Sequence, residues 1–359
     1  MTPADLSRAV LHAVRRAVDE NALRAPVPAR VRVERTRPGG SGDYACAVAL
    51  QLAGPAALPP REVARILADR VAAAGVARVD VTGPGFLSFT LDPVGDAGAR
   101  TALVRDIGAR GSAYGHGDAL RGETLRLLHP AEIRAETTAA AVAALAAAQG
   151  ADVRLLAAGP GRAPADAVEI RPVPAGAPAA GLPARLGPDA LRWGLLRPAG
   201  HDRAPLGDDL LVQSAANPLF LVRYAHARTR ALLRNARDLG FGPEAGSETA
   251  SDGPASPDGG PGRADAHAAD AAHPLWVLLA DHPAVLVAAA RLRAPDRLAR
   301  HLEAVAHAFF DFHDACPPLP PGDEKPSAAH RSRLALAEAA GTVLAGGLSL
   351  LGVSAPEHL

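Results

Sequence analysis

The sequence predicts an α+β chain in three parts: a small N-terminal α+β domain over residues 1–110, a truncated β-α-β unit over 111–185, and an all-α bundle over 186–359. Three observations predict it. Helical and strand-like apolar spacings alternate through the first domain, one strand–helix–strand pattern occupies 124–157, and only the helical period recurs toward the end. At 359 residues the chain is long enough for two or three domains, each with its own core.

Residues 4–19 place Leu6, Val10, Ala13, Val14 and Ala17 at helical spacing. Val31 to Glu34 alternates like a strand with one buried face. Pro59-Pro60 opens a second helix with Val63, Ile66, Leu67 and Val71 as its apolar stripe. Val76–Thr82 and Phe86–Leu91 read as strands around Gly83-Pro84-Gly85. Such a glycine pair also occurs in dinucleotide loops, but no helix follows it, so it reads as a strand-to-strand turn. Leu125–Leu128, a helix from about Glu132 to Gln149, and Val153–Ala157 make the β-α-β unit. Gly159–Pro183, rich in proline, glycine and alanine and broken only by Val168-Glu169-Ile170, reads as a surface connection. Gly240–His273 lacks the apolar content to fold and reads as a disordered insertion at about 240–273. Leu298, Leu302, Val305, Phe309 and Phe312 mark an amphipathic helix. Leu336, Val343, Leu344 and Leu348 mark another that runs to a capping Gly352.

Lys+Arg and Asp+Glu both number 38, for a formal charge of zero. That argues against indiscriminate nucleic-acid binding, which needs a basic excess, and leaves room for a local basic patch. Asp5, Arg8, Arg15 and Arg16 break any apolar run that would read as a signal peptide. No uninterrupted apolar segment reaches bilayer length. Cys46 and Cys316 stand far apart, with no disulfide framework or zinc spacing, and read as buried thiols. The expectation is a soluble cytoplasmic protein with no membrane partner and no metal. The abundance of alanine, proline, glycine and arginine, with Lys325 as the only lysine, reads as GC-rich coding.

Four motifs in fixed order carry a family resemblance: Asp189-Ala190-Leu191-Arg192-Trp193, then Asn217-Pro218, then Tyr224-Ala225-His226-Ala227-Arg228, then Leu350 to Glu357. Together they resemble the DALR anticodon-binding domain of arginyl-tRNA synthetase. Gly42-Asp43-Tyr44 and Gly83-Pro84-Gly85-Phe86 are similar to motifs of that family's N-terminal domain, which contacts the tRNA elbow. The resemblance covers roughly residues 1–124 and 185–359. It implies that the bundle is an anticodon-binding domain and that 111–185 is a Rossmann-like remnant of a class I catalytic domain.

That remnant lacks what the family's chemistry uses. The resemblance places a His-x-Gly-His motif, whose imidazoles and helix N-terminus meet the ATP phosphates, just after Leu128. His129-Pro130-Ala131-Glu132-Ile133-Arg134 stands there instead. A Lys-Met-Ser-Lys-Ser-type loop belongs shortly before Asp189, where Ala179-Ala180-Gly181-Leu182-Pro183-Ala184 carries no lysine. About eighty residues separate the N-terminal domain from Asp189, too few for the several β-α units of a nucleotide-binding catalytic domain. No catalytic residue is assigned. No cofactor is expected, ATP and arginine being implied only if the family's activity were retained. Other chemistries are poorly supported. His307, Asp311 and Asp314 share a helix face but read as a solvated polar face opposite Phe309 and Phe312. Gly159-Pro160-Gly161 follows a strand as a phosphate loop would, yet Pro164 and the missing helix argue against one.

The strongest candidate for binding is the helix that opens at Asn217, a good N-cap, with Pro218 in its first turn. Arg223, His226, Arg230, Arg234 and Arg237 recur every three or four residues as one basic stripe, with Tyr224 and Arg228 at i and i+4 beside it. Arginines of this spacing neutralise phosphates and an aromatic ring stacks an unstacked base. Periodicity alone does not separate this from a solvated helix face; the resemblance favours RNA. The expected anticodon-side contacts are therefore Arg192, Asn217, Arg223, Tyr224, His226, Arg228, Arg230 and Arg234. At the elbow, Tyr44 and Gln51 remain as weaker contacts that equally pack or cap, since Ala45 and Ala47 replace the polar residues usual there. The reading is a tRNA-binding, catalytically deficient relative of arginyl-tRNA synthetase, with arginine-type tRNA as the first candidate. A protein-interaction or regulatory module with a protein partner is the alternative, and ligase activity retained only with a partner is the third.

Overall fold

A computed structural model describes residues 3–36, 42–71, 76–91, 93–159, 164–176, 181–246 and 263–359. They form two compact units, Met1–Leu103 and Val104–Leu359.

In the first unit, helix α1 (Pro3–Asp19) and strand β1 (Val33–Arg35) lead to β2 (Tyr44–Cys46), α2 (Val48–Ala56), α3 (Pro60–Ala68) and the hairpin β3 (Val76–Thr82)–β4 (Phe86–Leu91). The antiparallel sheet has the order β1-β2-β4-β3, with Tyr44 opposite Phe89 and Val81 opposite Leu87. Leu6, Val10 and Val14 of α1 and Val63 and Leu67 of α3 enclose Leu87 and Phe89 in one core. The Gly83-Pro84-Gly85 turn joins two strands as its sequence predicts. Gly85 has φ +137°, and a Cβ there would press on the Pro60 carbonyl. Helix α2 was not legible in the sequence: it is short, carries Gly54 and Pro55, and stops where Ala57 turns left-handed.

Helix α4 (Pro93–Arg110), also unread because of its glycines, spans the division between the units. Beyond it, β5 (Thr124–His129), α5 (Ile133–Ala148) and β6 (Asp152–Ala157) make the predicted β-α-β unit. A further strand, β7 (Ala167–Glu169), corrects the reading of 159–183 as surface connection. It pairs parallel to β5, giving the order β6-β5-β7, and the Ile170 amide donates to Leu128 O at 2.8 Å. Ile170 is buried with Leu127, Ala139 and Val142. Three apolar residues suffice here because a neighbouring strand supplies the register. Pro160 and Gly161 lie outside the described residues, as do Ala179 and Ala180.

Helices α6 (Leu182–Leu196), α7 (Pro218–Asp238), α8 (Arg263–Leu292), α9 (Asp296–Ala315) and α10 (Ala328–Leu350) complete the second unit. α7, α9 and α10 pack on one another, and α8 packs on α9. Two glycines allow the closest approaches. A Cβ on Gly341 would overlap the Thr229 hydroxyl, and one on Gly347 would meet Leu302. The stretch expected to be disordered meets ordered chain at both ends. The Glu244 amide donates to Arg331 O, the Ser332 hydroxyl donates to Gly246 O, and α8 begins at Arg263; residues 247–262 lie outside the description. Ala271–Leu292 is long and apolar enough, by length and composition, to cross a membrane. Asp281 and His282 interrupt it, however, and Leu275, Leu279 and Leu286 are buried, as in a core helix.

Candidate nucleic-acid interface

α7 begins as its sequence dictates. The Asn217 side-chain oxygen accepts from Leu219 N at 3.1 Å, capping the helix, and Pro218 follows where an amide hydrogen would have no partner. Leu221, Val222, Ala225, Leu232 and Leu233 are buried as the spacing predicts. Asn217 itself is corrected as a contact residue. It is 5% exposed, and its Nδ2 donates to Leu210 O and Val212 O at 2.8 and 2.9 Å, so its amide is committed to holding the preceding turn.

The rest of the stripe is met by the segment after α10. There the chain reverses through a helix-end motif in which Gly352, with φ +69°, donates to Ser349 O and Val353 donates to Leu348 O. The DALR residues clasp the exit: Arg192 Nη1 donates to Gly352 O at 2.6 Å, the Ser354 amide donates to Asp189 Oδ1 at 3.0 Å, and the Ser354 hydroxyl donates to Asp189 Oδ2. Arg192 is therefore a positioning residue in this structure. Arg223 lies 3.6 Å from Asp189 Oδ2 and reaches the Ser354 hydroxyl at 3.3 Å. His226 is buried beneath the segment, its Nδ1 bonded to Pro356 O at 2.9 Å. Burial holds its pKa below the ordinary value, with Arg230 adding to the shift and the Pro356 bond and Glu357 opposing it. With this segment in place the imidazole is covered and meets Pro356. Arg230 grips Glu357 Oε1 through Nε at 3.1 Å and Nη2 at 2.8 Å. Arg234 reaches Glu357 O at 3.4 and 3.5 Å and His358 Nδ1 at 3.4 Å. Arg237 donates to Leu233 O of its own helix.

Tyr224 is 42% exposed, yet it does not stand alone. Phe220, one turn earlier, stacks on it at a centroid distance of 5.6 Å, and Phe310 of α9 stacks at 5.4 Å, both within 19° of parallel. The platform is thus a three-ring ladder, with Arg228 beside it bonded to His313 Nε2 at 3.3 Å. Phe220 was findable as the i−4 neighbour of Tyr224; Phe310, on another helix, was not. A cavity of about 300 Å³, bordered by Pro188, Leu211, Val212, Phe220 and Arg223, opens next to the ladder. Of the two weaker candidates, Tyr44 is 2% exposed in the core of its unit, in keeping with the packing alternative, while Gln51 is exposed on α2.

The place implied for the activation motif has been given other work. Glu132 caps α5: its Oε2 accepts from Ala135 N at 2.9 Å and its Oε1 from Ala175 N at 3.0 Å. A phosphate at this helix N-terminus would meet a carboxylate already seated there. Arg134 is 1% exposed, and all its donor groups go to backbone carbonyls: Nε to Leu195, Nη1 to Val173 and Asp202, Nη2 to Pro198 and Ala199, at 2.5–3.3 Å. His129 Nδ1 lies 3.1 Å from Pro130 O. His307, Asp311 and Asp314 are exposed, and among the described residues no group of His, Cys, Asp or Glu is arranged to hold a metal. Both cysteines are buried, and burial pushes the Cys46 thiol up to about 11.

Residues 222–359 match a family model described as DALR anticodon binding domain, and residues 5–91 one described as arginyl tRNA synthetase N terminal domain. The chain is 29% identical over 574 residues to an arginine–tRNA ligase of Frankia alni, the alignment covering 100% of both. That alignment has 574 positions against 359 residues in this chain, so at least 215 positions have no counterpart here. A second arginine–tRNA ligase, from Pseudarthrobacter chlorophenolicus, is 42% identical over 177 residues, 48% of this chain and 30% of the relative. Among solved structures, the fold is similar to Thermus thermophilus arginyl-tRNA synthetase (TM-score 0.65, 13% identity) and to that of Plasmodium falciparum (TM-score 0.66, 8% identity), with 100% of each chain covered.

Proposed function

The chain belongs to the arginyl-tRNA synthetase family, and from that premise we propose that it binds tRNA through α7 without charging it. The observation that carries the binding half is the Phe220–Tyr224–Phe310 ladder, exposed at Tyr224 and half-buried at the two phenylalanines, on a helix that also carries Arg223, Arg228, Arg230 and Arg234. An unstacked base of an anticodon loop stacks on the ladder and the loop phosphates meet the guanidinium groups. Arginine-type tRNA is the first candidate because the relatives are arginine–tRNA ligases. The absence of charging is supported by the central unit. Among the described residues its sheet has three strands, the helix N-terminus that would face a nucleotide is capped by Glu132, and Arg134 is wholly spent on backbone carbonyls. The only lysine, Lys325, precedes α10, far in sequence from that unit.

The test pairs two assays. Pure protein should shift tRNA in a gel in preference to unrelated RNA, and a Tyr224→Ala, Arg228→Ala double variant should lose about tenfold or more in affinity, stacking alone contributing about 1–3 kcal/mol per base. Circular dichroism must show the variant folded, since Tyr224 also packs on two rings. No arginine-dependent pyrophosphate exchange is expected, and exchange by the pure protein would sink the charging half. A regulatory or protein-binding role is favoured instead by the commitment of Asn217, His226 and Arg192 to internal bonds. A co-purifying protein partner that survives RNase treatment, together with failure to bind tRNA, would establish that reading.

A further inference from the structure

We infer that residues 354–358 form a displaceable strap over α7, with the Glu357 carboxylate standing where an RNA phosphate would sit. This rests on the tRNA-binding reading above and adds a device that regulates it. Arg230 holds Glu357 through Nε and Nη2, both on Oε1, a charge-assisted contact of the kind a guanidinium also makes to a phosphate oxygen. Arg234 turns to the same residue's carbonyl and to His358, at the long end of hydrogen bonding. Three of the stripe's arginines are thus occupied by this segment, Arg223 through Ser354 and Arg230 and Arg234 through residues 357–358, and Pro356 bonds His226, which lies between Arg223 and Arg230.

The strap has a fixed end and a loose end. At the fixed end, Gly352 turns left-handed, Arg192 holds its carbonyl, and Asp189 accepts both the amide and the hydroxyl of Ser354. At the loose end, the Arg230–Glu357 pair has side chains 39% and 54% exposed. An exposed pair of this kind is strong enough to bias a competition and too weak to prevent one. A phosphodiester carried by a tRNA already stacked on the aromatic ladder would therefore displace Glu357, whereas an isolated phosphate or an RNA without a base to stack would gain little. The strap raises the threshold for binding and makes the neutral net charge of the chain locally effective on its most basic helix.

The experiment compares wild type with Glu357→Gln, which keeps the shape of the side chain and removes its charge, by fluorescence anisotropy with end-labelled unfractionated tRNA over a range of salt. Glu357→Gln is expected to bind about three- to tenfold tighter at low salt, with a log K against log salt slope close to that of wild type, because Arg230 meets the same phosphate in both once the strap is displaced. An added Arg230→Gln should erase the gain. Hydrogen exchange provides a second readout: with saturating tRNA, amides of 354–358 should lose protection while α7 gains it. Wild type that binds while Glu357→Gln binds equally or more weakly overturns the strap alone. A strap that gains protection on binding also overturns it, by making the segment part of the interface. If neither protein binds, the strap and the tRNA-binding reading both fall; if only Glu357→Gln binds, the strap is supported in its strongest form.

Discussion

Acid should unfold the second unit through a pair of buried histidines. His282 of α8 is 1% exposed and His301 of α9 7% exposed, with ring centroids 5.3 Å apart and Tyr114 stacked on His282. Burial pushes His301 down to about 4; burial, with His301 and His116 nearby, pushes His282 down to about 3. The folded unit keeps both rings neutral, while the unfolded chain protonates them below about 6.5. Their contribution is thus complete above about 6.5 and is lost as pH falls toward 4 and 3, at about 1.4 kcal/mol per pH unit for each ring. Asp281, beside them, acts in the opposite sense. Burial pushes its carboxyl up to about 6, so between about 6 and 4 the folded state takes up a proton that the unfolded state does not. Two rings less one carboxyl leave a net slope of about 1.4 kcal/mol per pH unit, or about 2 kcal/mol between pH 6 and 4.5. That is a large share of a typical domain stability of about 5–15 kcal/mol. Trp193 and Trp276 both belong to this unit, so urea unfolding followed by tryptophan fluorescence reports on it alone. Compared at pH 6 and 4.5, His301→Leu should flatten the wild-type dependence and Asp281→Asn should roughly double it. His226 and His116, held down by burial, and Glu338, held up by burial, contribute equally to every variant and cancel in the comparison. A His301→Leu variant with the wild-type pH slope would refute the reasoning.

Arg134→Lys should destabilise the second unit by about 1–3 kcal/mol in the same urea assay, because an ammonium with three donors leaves some of the buried and partly buried carbonyls of Val173 and 195–202 without partners. Gly341→Ala should cost about 1–3 kcal/mol by driving a methyl group into the Thr229 hydroxyl. Adding Thr229→Ala should recover only part of that loss in urea midpoint, since the hydroxyl is gone but the Cβ of residue 229 still stands 3.0 Å from the new methyl.

What was legible in the sequence follows from how local the cause was. α7 was readable because its start needs only Asn217 and Pro218 and its buried face repeats within the helix. α9 was readable from the steps between Leu298 and Phe312. β7 was not, because Ala167–Glu169 has no pattern of its own and becomes a strand only by pairing with β5, some forty residues earlier. α2 and α4 escaped because alanine, glycine and proline blur the contrast on which periodicity depends. The candidate site divides in the same way. Spacing correctly put Arg223, His226, Arg230 and Arg234 on one side of α7, but it could not reveal that a segment more than 120 residues later lies over them. A helical period says which residues share a face and is silent about what covers it.

The central unit is held together at the place where a nucleotide site would have to stand open. A nucleotide site needs a helix N-terminus left open and side chains left free, both of which cost stability when nothing is bound. Here Glu132 closes the first turn of α5 and ties it to Ala175, so the open end is gone. Arg134, two residues on in the same turn, draws Val173, Leu195 and the 198–202 loop onto the same helix. The β-α-β unit thereby becomes a bracket between the segment that carries β7 and the start of the helical bundle. Reopening the site would require removing the Glu132 carboxylate and supplying a phosphate-binding cation. A Glu132→Ala variant should accordingly lose stability, by about 1 kcal/mol for the cap alone, without gaining affinity for ATP in equilibrium dialysis. ATP binding by that variant would mean that a nucleotide site is only masked by the carboxylate, and would count against the proposal that this chain does not charge tRNA.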